Sequence, residues 1–348
     1  GLDISDVRCM LLNDQQGGRR EAMLNKFREL AWVASSSHIK KMSSIESSLV
    51  YAHFGPDAVA CFPLVRKLEL PMVVALHGYD INVEPHVWGK GDYGFVNRFY
   101  PRRLKVLADN GVKFVAVSEA IRDKAIERGL PAASISVKHI GVDTSKFESD
   151  GSDISTRRPR IIFVGRLVEK KGCEYLLRSF ALVRRTIVDA ELVIVGDGPL
   201  RGDLLQLANL LNVPVDFIGV RNSQDIRQEI NKARVLCMPS IVAKNGDAEG
   251  LGIVLLEAGA MGVPSVTSAA GASEAVIDGL TGFSFPEKDT NRMADRLVCL
   301  LADNDLIRRM SESAMKFVRE KFDIVGCTEC LEKYFDEVVA SARRVKRS

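Results

Sequence analysis

From Leu49 onward, short apolar runs alternate with longer amphipathic stretches. LVYAHF, MVVALHG, KFVAVS and SISVKHIG have strand length, and AVACFPLVRKL, the segment near Val96 to Asn110 and EAIRDKAIERG have helical spacing. Such alternation predicts β-α-β units around a parallel sheet. A second series starts at RIIFVG and continues through helix 174–186, ELVIVG, helix 200–211, VDFIG, helix 225–231 and RVLCMPS. It closes with a glycine-rich turn into an apolar helix, then PSVTS and TGFSF, and the expected helices 291–302, 305–321 and 325–342 follow. Its near-continuous apolar strands suit a parallel sheet covered on both faces. Before Leu49 the pattern is weaker: VRCMLL reads as a strand, Gly17-Gly18 as a turn and Arg20 to Trp32 as an amphipathic helix.

Between the two series lies TSKFESDGSDISTRRPR, polar, charged and without periodicity, which marks a linker. A chain of 348 residues also exceeds the size at which one core keeps growing, so two domains are expected. The expected division is an N-terminal Rossmann-like domain over 1–145, a linker over 146–160, a C-terminal Rossmann-like domain over 161–324, and a helix over 325–348 returning to the first domain.

Composition narrows the function classes. Net charge is +3, too mild to argue for nucleic acid, and no apolar run approaches the roughly 20 residues that span a bilayer. Two basic clusters, Arg98, Arg102, Arg103 and Lys105, and Arg343, Arg344, Lys346 and Arg347, are solvated faces or points of contact with an anionic membrane. The seven cysteines are scattered, which suits a reducing compartment, and Cys327-x-x-Cys330 lacks the second ligand pair of a zinc site. The chain starts at Gly1 with neither methionine nor a signal-peptide pattern, as a fragment would.

The chemistry-bearing residues follow strands. His77, Gly78, Tyr79 and Asp80 come just after a predicted strand, where ligands bind in doubly wound sheets. Arg166 and Lys171 flank the loop after Gly165, either as two surface cations in a solvated loop, the reading favoured for this motif alone, or converging on one diphosphate. Glu249 lies in the turn GDAEGLG, and Glu257 lies on the apolar helix after it, whose start offers bare N–H groups to a phosphate. If both were helical, the two carboxylates would be ~12 Å apart at 1.5 Å per residue, beyond the ~5–9.5 Å of glycosidase pairs. Two clamps on one ligand are therefore favoured over an acid and base flanking one bond. A rival motif, Gly196-Asp197-Gly198-Pro199-Leu200-Arg201-Gly202 with Asp216 on the next strand, invites a dinucleotide reading. Against it, the dinucleotide fingerprint usually stands on the first strand of its sheet.

HFG, HGYD, VGRLVEKKG, VGDGP, EGLGIVLLEA, AMGVPSVTS and EAVIDGLTGF together resemble the retaining glycosyltransferases of family 4, over roughly residues 49–323. The resemblance implies the GT-B fold, an α/β architecture of two facing Rossmann-like domains with parallel sheets, here with an abbreviated N-terminal domain. It implies that Arg166 and Lys171 bind the nucleotide diphosphate, Glu257 the ribose and Glu249 the donor sugar hydroxyls. Gly250, Leu251, Gly252 and Ile253 would offer backbone N–H groups to phosphate next to Gly165, and His77 would face the donor sugar from the other domain. No metal or other cofactor is implied, since Arg, Lys and a helix terminus supply the charge stabilisation.

The implied reaction moves a hexose-type sugar from a nucleotide diphosphate sugar to a glycan or polyprenyl-diphosphate-linked acceptor, with retention and no enzymic nucleophile. The wording NGDAEGLGIVLLEA is closest to transferases of exopolysaccharide and colanic-acid-type assembly, which implies a cytoplasmic protein peripheral to the inner face of the membrane. Ile140 stands where the family commonly has Asn, with Gly141 and Asp143 retained. The family's opening strands are missing or compressed into Val7 to Trp32. That shortening motivates a second class, a nucleotide-sugar-binding protein without turnover, and the rival glycines a third, a nicotinamide oxidoreductase.

Overall fold

The computed structural model describes residues 31–34, 36–44, 46–269 and 274–347. The expected strand at Val7 to Leu12 and the turn at Gly17-Gly18 lie outside them, as does all but the end of the helix expected over Arg20 to Trp32. After α1 (Ser36–Ser43), strands β1 (Val50–Ala52), β2 (Met72–Leu76), β3 (Lys113–Ala116) and β4 (Ile135–Val137) form a parallel sheet in that spatial order. Between them run α2 (Gly55–Lys67), the single turn α3 (Tyr79–Asn82), α4 (Tyr100–Asp109) and α5 (Glu119–Glu127). Every residue of β2 is buried, as its unbroken apolar run requires. The segment expected to be helical from Val96 divides into a 3-10 turn over Phe95–Phe99 and α4, with Pro101 in the first turn of the latter, where its missing N–H costs nothing.

The second sheet contains β5 (Arg160–Val164), β6 (Glu191–Val195), β7 (Asp216–Gly219), β8 (Val235–Met238), β9 (Ser265–Ser268) and β10 (Gly282–Phe285). All pairings are parallel, in the order β10-β9-β8-β5-β6-β7. Its helices are α6 (Cys173–Thr186), α7 (Arg201–Leu210), α8 (Ser223–Lys232), α9 (Ile253–Ala260), α10 (Thr290–Ala302) and α11 (Asn304–Phe322). Asn222, Asp289 and Asp303 cap three of them with side-chain oxygens. The connections lead from β5 towards β7 on one side and from β8 towards β10 on the other, which puts the topological switch point between β5 and β8.

The long α12 (Ile324–Arg347) then crosses to the first sheet, where Phe335 meets Tyr51 with ring centroids 4.9 Å apart and Lys138 stands over Tyr334. At the crossing, the Val142 N–H donates to Phe322 O (2.8 Å) and the Ile324 N–H to Val142 O (3.0 Å). The two passages of chain between the sheets thus touch each other. Gly141 permits this, because a Cβ there would stand 2.4 Å from Ile324 Cα. Gly141→Val is therefore expected to destabilise the fold by about 1–3 kcal/mol, the usual cost of overpacking. Urea denaturation checks this, and an unchanged midpoint would remove the crossing as a tight constraint.

Candidate functional site

The loops after β5 and β8 meet at the switch point. The Ile241 N–H donates to Lys170 O (2.8 Å), and Gly172 is in the left-handed region (φ 61°), where a Cβ would stand 1.9 Å from Pro239 O. This approach directs two lysines from a 3-10 turn (Glu169–Lys171) at two carboxylates of the β8–α9 loop. Lys170 pairs with Asp247 at 3.1 Å and Lys171 with Glu249, all four side chains being only 15–16% exposed. Lys171 also lies over Gly165, whose added Cβ would be 3.6 Å from its Cδ and Cε. Arg166 is exposed on the same loop.

Glu249 is in the loop, as its glycine neighbours predict, and Glu257 is on α9. Burial raises the Glu257 carboxyl above its ordinary range, partly opposed by Lys146 from the segment between the sheets. Gly250, Leu251 and Gly252 lead into α9, and Gly252 takes the left-handed conformation (φ 71°). No side chain caps this helix start, which leaves its N–H groups to an anion.

The N-terminal domain closes over this loop. Gly250 packs so tightly on it that a Cβ would stand 2.0 Å from His77 O, and Gly78 (φ 137°) faces the Ala248 carbonyl and Gly250 N. Asn82 Nδ2 donates to Ala248 O (3.3 Å). Ser118 Oγ caps α5 and also donates to Gly250 O (2.8 Å), so one hydroxyl starts a helix and crosses the cleft. Glu274 accepts from the Glu119 N–H (2.6 Å), with His139 Nε2 at 2.7 Å from its other oxygen.

His77 is placed between Phe54 (centroids 4.6 Å apart) and His53 (5.9 Å). Burial first, and His53 second, depress its pKa to about 4, so the ring is neutral at neutral pH. Its Nε2 is buried and, like Ser240 Oγ just beyond β8, has no hydrogen-bond partner among the described residues. An unmet buried polar atom costs about 1–3 kcal/mol.

The rival glycines have a packing role. A Cβ at Gly196 would stand 2.0 Å from Gly165 O, and one at Gly198 2.5 Å from Leu167 O, which accounts for their small size, and Asp216 is exposed on β7. The Lys170–Asp247 pair and the bridges from Ser118 and Glu274 have no signature in the sequence. The polar residues were visible, but pairing them required knowledge of which loops oppose each other.

Two parallel-sheet α/β domains facing across a cleft, with cations, carboxylates and an uncapped helix start at the switch point of the second, define the GT-B class. Residues 158–303 match the model for glycosyl transferases group 1, and residues 12–146 that for glycosyltransferase family 4. The chain is 33% identical over 326 residues to the alpha-D-kanosaminyltransferase of Streptomyces kanamyceticus, covering 89% of this chain and 82% of that protein. It is 29% identical over 292 residues to the amylovoran biosynthesis glycosyltransferase AmsK of Erwinia amylovora, covering 81% of this chain and 67% of AmsK. Among solved structures it superposes on Anabaena HepE in complex with UDP, with a TM-score of 0.71 and 21% identity, over 91% of this chain and 81% of that one. The chain belongs to glycosyltransferase family 4. Among the described residues no helix is long and apolar enough to cross a membrane.

The depressed His77 pKa has a testable sign. Between about 4 and the ordinary 6.5 the unfolded chain binds a proton that the folded chain refuses, so this contribution is complete above 6.5 and is lost as pH falls towards 4. His77→Gln removes that loss. Its stability relative to the parent should therefore rise between pH 7.5 and 4.5 in urea titrations, and a pH-independent difference would contradict the burial of a neutral imidazole.

Proposed function

We propose that the protein is a retaining glycosyltransferase that moves a hexose-type sugar from a nucleotide diphosphate sugar to a glycan or polyprenyl-diphosphate-linked acceptor in polysaccharide assembly. The observation that carries this reading is the convergence of Lys171, Glu249 and the uncapped α9 start at the switch point, with the His77 backbone packed against the Gly250 turn from the other domain. The structural likeness to a UDP complex and the kinship with a transferase named for amylovoran biosynthesis support it.

In this reading Arg166 and Lys171 hold the diphosphate, and Gly250 to Ile253 present N–H groups to it. Glu257 takes the ribose hydroxyls, Glu249 takes the sugar hydroxyls, and His77 closes over the sugar from the other domain. The bond from the anomeric carbon to the phosphate oxygen breaks, and the acceptor oxygen bonds to the same face. The acceptor proton passes to the departing phosphate oxygen, so no enzymic nucleophile is used. Charge growing on the leaving diphosphate is met by the two cations and the helix start, groups that can carry the reaction without a metal. The exposed basic side chains of Arg98 and Arg102 would bring the acceptor side to an anionic membrane surface.

Two variants separate the roles. Lys171→Ala should weaken nucleoside diphosphate binding by about 10-fold or more, the scale of a lost charge-assisted contact. Glu249→Ala should leave that affinity within a few-fold and reduce turnover by about 100-fold. Titration calorimetry with uridine and guanosine diphosphates and a transfer assay read the two effects, and equal affinity losses in both variants would refute the assignment. Retention is read directly from the anomeric configuration of the product by NMR. Tight nucleotide binding with no turnover on any lipid-linked or glycan acceptor would instead favour a binding protein.

A further inference from the structure

The site contains a buried carboxylate to which the proposed reaction gives no part. Asp80, on α3 just past β2, is 1% exposed and has no ion-pair partner among the described residues. Backbone donors alone satisfy it. Oδ1 accepts from the Gly78 N–H (2.9 Å) and the His77 N–H (3.1 Å), and Oδ2 accepts from the Gly55 N–H (3.2 Å). Gly55 begins α2 beyond β1, so this one side chain ties together the loops at the carboxyl ends of two neighbouring strands. Tyr100 locks the arrangement from α4 by donating its hydroxyl to Asp80 O (2.6 Å), and Gly55 makes room, since a Cβ there would meet Tyr100 Oη at 2.0 Å. The tie sets Phe54 and His53 against the His77 ring and fixes the His77 carbonyl that Gly250 packs upon.

From this geometry we infer that Asp80 is a positioning residue whose ionised carboxylate holds His77 in its reactive place, so that protonating Asp80 slackens the site. The inference rests on the transferase reading for its effect on rate. Asparagine is not an equivalent, because its amide presents N–H groups to donors that need an acceptor. A protonated acid has the same defect, giving up acceptor capacity to become a donor.

Burial lifts the Asp80 pKa to about 6, against the downward pull of the Gly78, Gly55 and His77 N–H groups, which places the change within reach of ordinary pH. The titratable groups interacting with Asp80 are Tyr79 beside it and Tyr100 on α4, while Asp57 on α2 acts on Tyr79, and His53 beyond β1 acts on His77 in the same loop. Tyr79 is raised to about 12 and Tyr100 well above its usual range, while His77 titrates near 4, so none of these three changes charge near pH 6.

The test compares the parent protein with Asp80→Asn. The parent's turnover should fall about 10-fold per pH unit below pH 6. The variant should be slowed about 10- to 100-fold at pH 7.5, the scale of an ångström misplacement, with donor KM within about threefold and no acid limb. An Asp80→Asn enzyme with parental turnover, or with the acid limb intact, would overturn the proposal. NMR of the parent decides independently of activity and of whether the variant folds. The Asp80 carboxyl carbon should titrate near pH 6, and the Gly55, His77 and Gly78 amides should move with the same midpoint. A carboxyl titrating near 4, or amides that ignore it, would refute the tie even in an active transferase. Absence of transfer alongside the expected NMR transition would sink only the reading of the reaction.

Discussion

Everything at the cleft depends on two backbones meeting with no side chain between them. The loop through His77 and Gly78 rests on the loop through Ala248 and Gly250, and a methyl group at residue 250 would occupy the space of the His77 carbonyl oxygen. Because contact is made by main chain, its geometry is fixed by the strands that launch the loops. The hydrogen bonds from Asn82 to Ala248 and from Ser118 to Gly250 then align one domain against the other. A larger residue at position 250 would force apart the surfaces that bring His77 to the lysine and carboxylates of the second domain.

Those charges are arranged so that a ligand exchanges partners instead of creating bare ions. Lys171 and Glu249 face each other in a setting only 15% exposed, where removing one member leaves an uncompensated charge. In the proposed reaction, a diphosphate arriving at Lys171 frees Glu249 at the moment a sugar with hydroxyl donors arrives beside it. Each charge moves from one partner to another and is never left dry. The cost of opening the pair is thereby offset within the same binding step.

Much of this was legible in the sequence because the physics is local. Unbroken apolar runs such as MVVAL and RIIFV can be satisfied only between two layers of helices, and they gave the two parallel sheets. Glycine spacing placed Glu249 in a turn and Glu257 on a helix. What the sequence hid depends on which loops oppose each other. Asp80 belongs to a motif singled out for its histidine, yet its role arises from Gly55, a residue on another strand's loop. Likewise, Gly196 and Gly198 imitate a dinucleotide fingerprint until their contacts with Gly165 and Leu167 explain them as close packing. The lysine–carboxylate pairs are hidden for the same reason, since each joins the loop after β5 to the loop after β8, more than 70 residues further along the chain.

The position of the chain crossings bears on how such a site could open. Both passages between the domains meet at Val142 and Asp323, and Thr144 Oγ1 bonds the Asp323 carboxylate beside them. A rotation about that point moves the pivot contacts little and separates the cleft contacts most. Those contacts include hydrogen bonds from Asn82, Ser118, Glu119 and Glu84, the Asn245 amide on Tyr93, and the pairing of His139 with Glu274. At about 1 kcal/mol net for each hydrogen bond, opening costs a few kcal/mol. A ligand that touches both halves binds the closed form better and shifts such an equilibrium towards it, whereas one that touches only the second domain does not. In the proposed reaction, a sugar reaching His77 would bridge both halves, and a nucleotide held by the second domain would not.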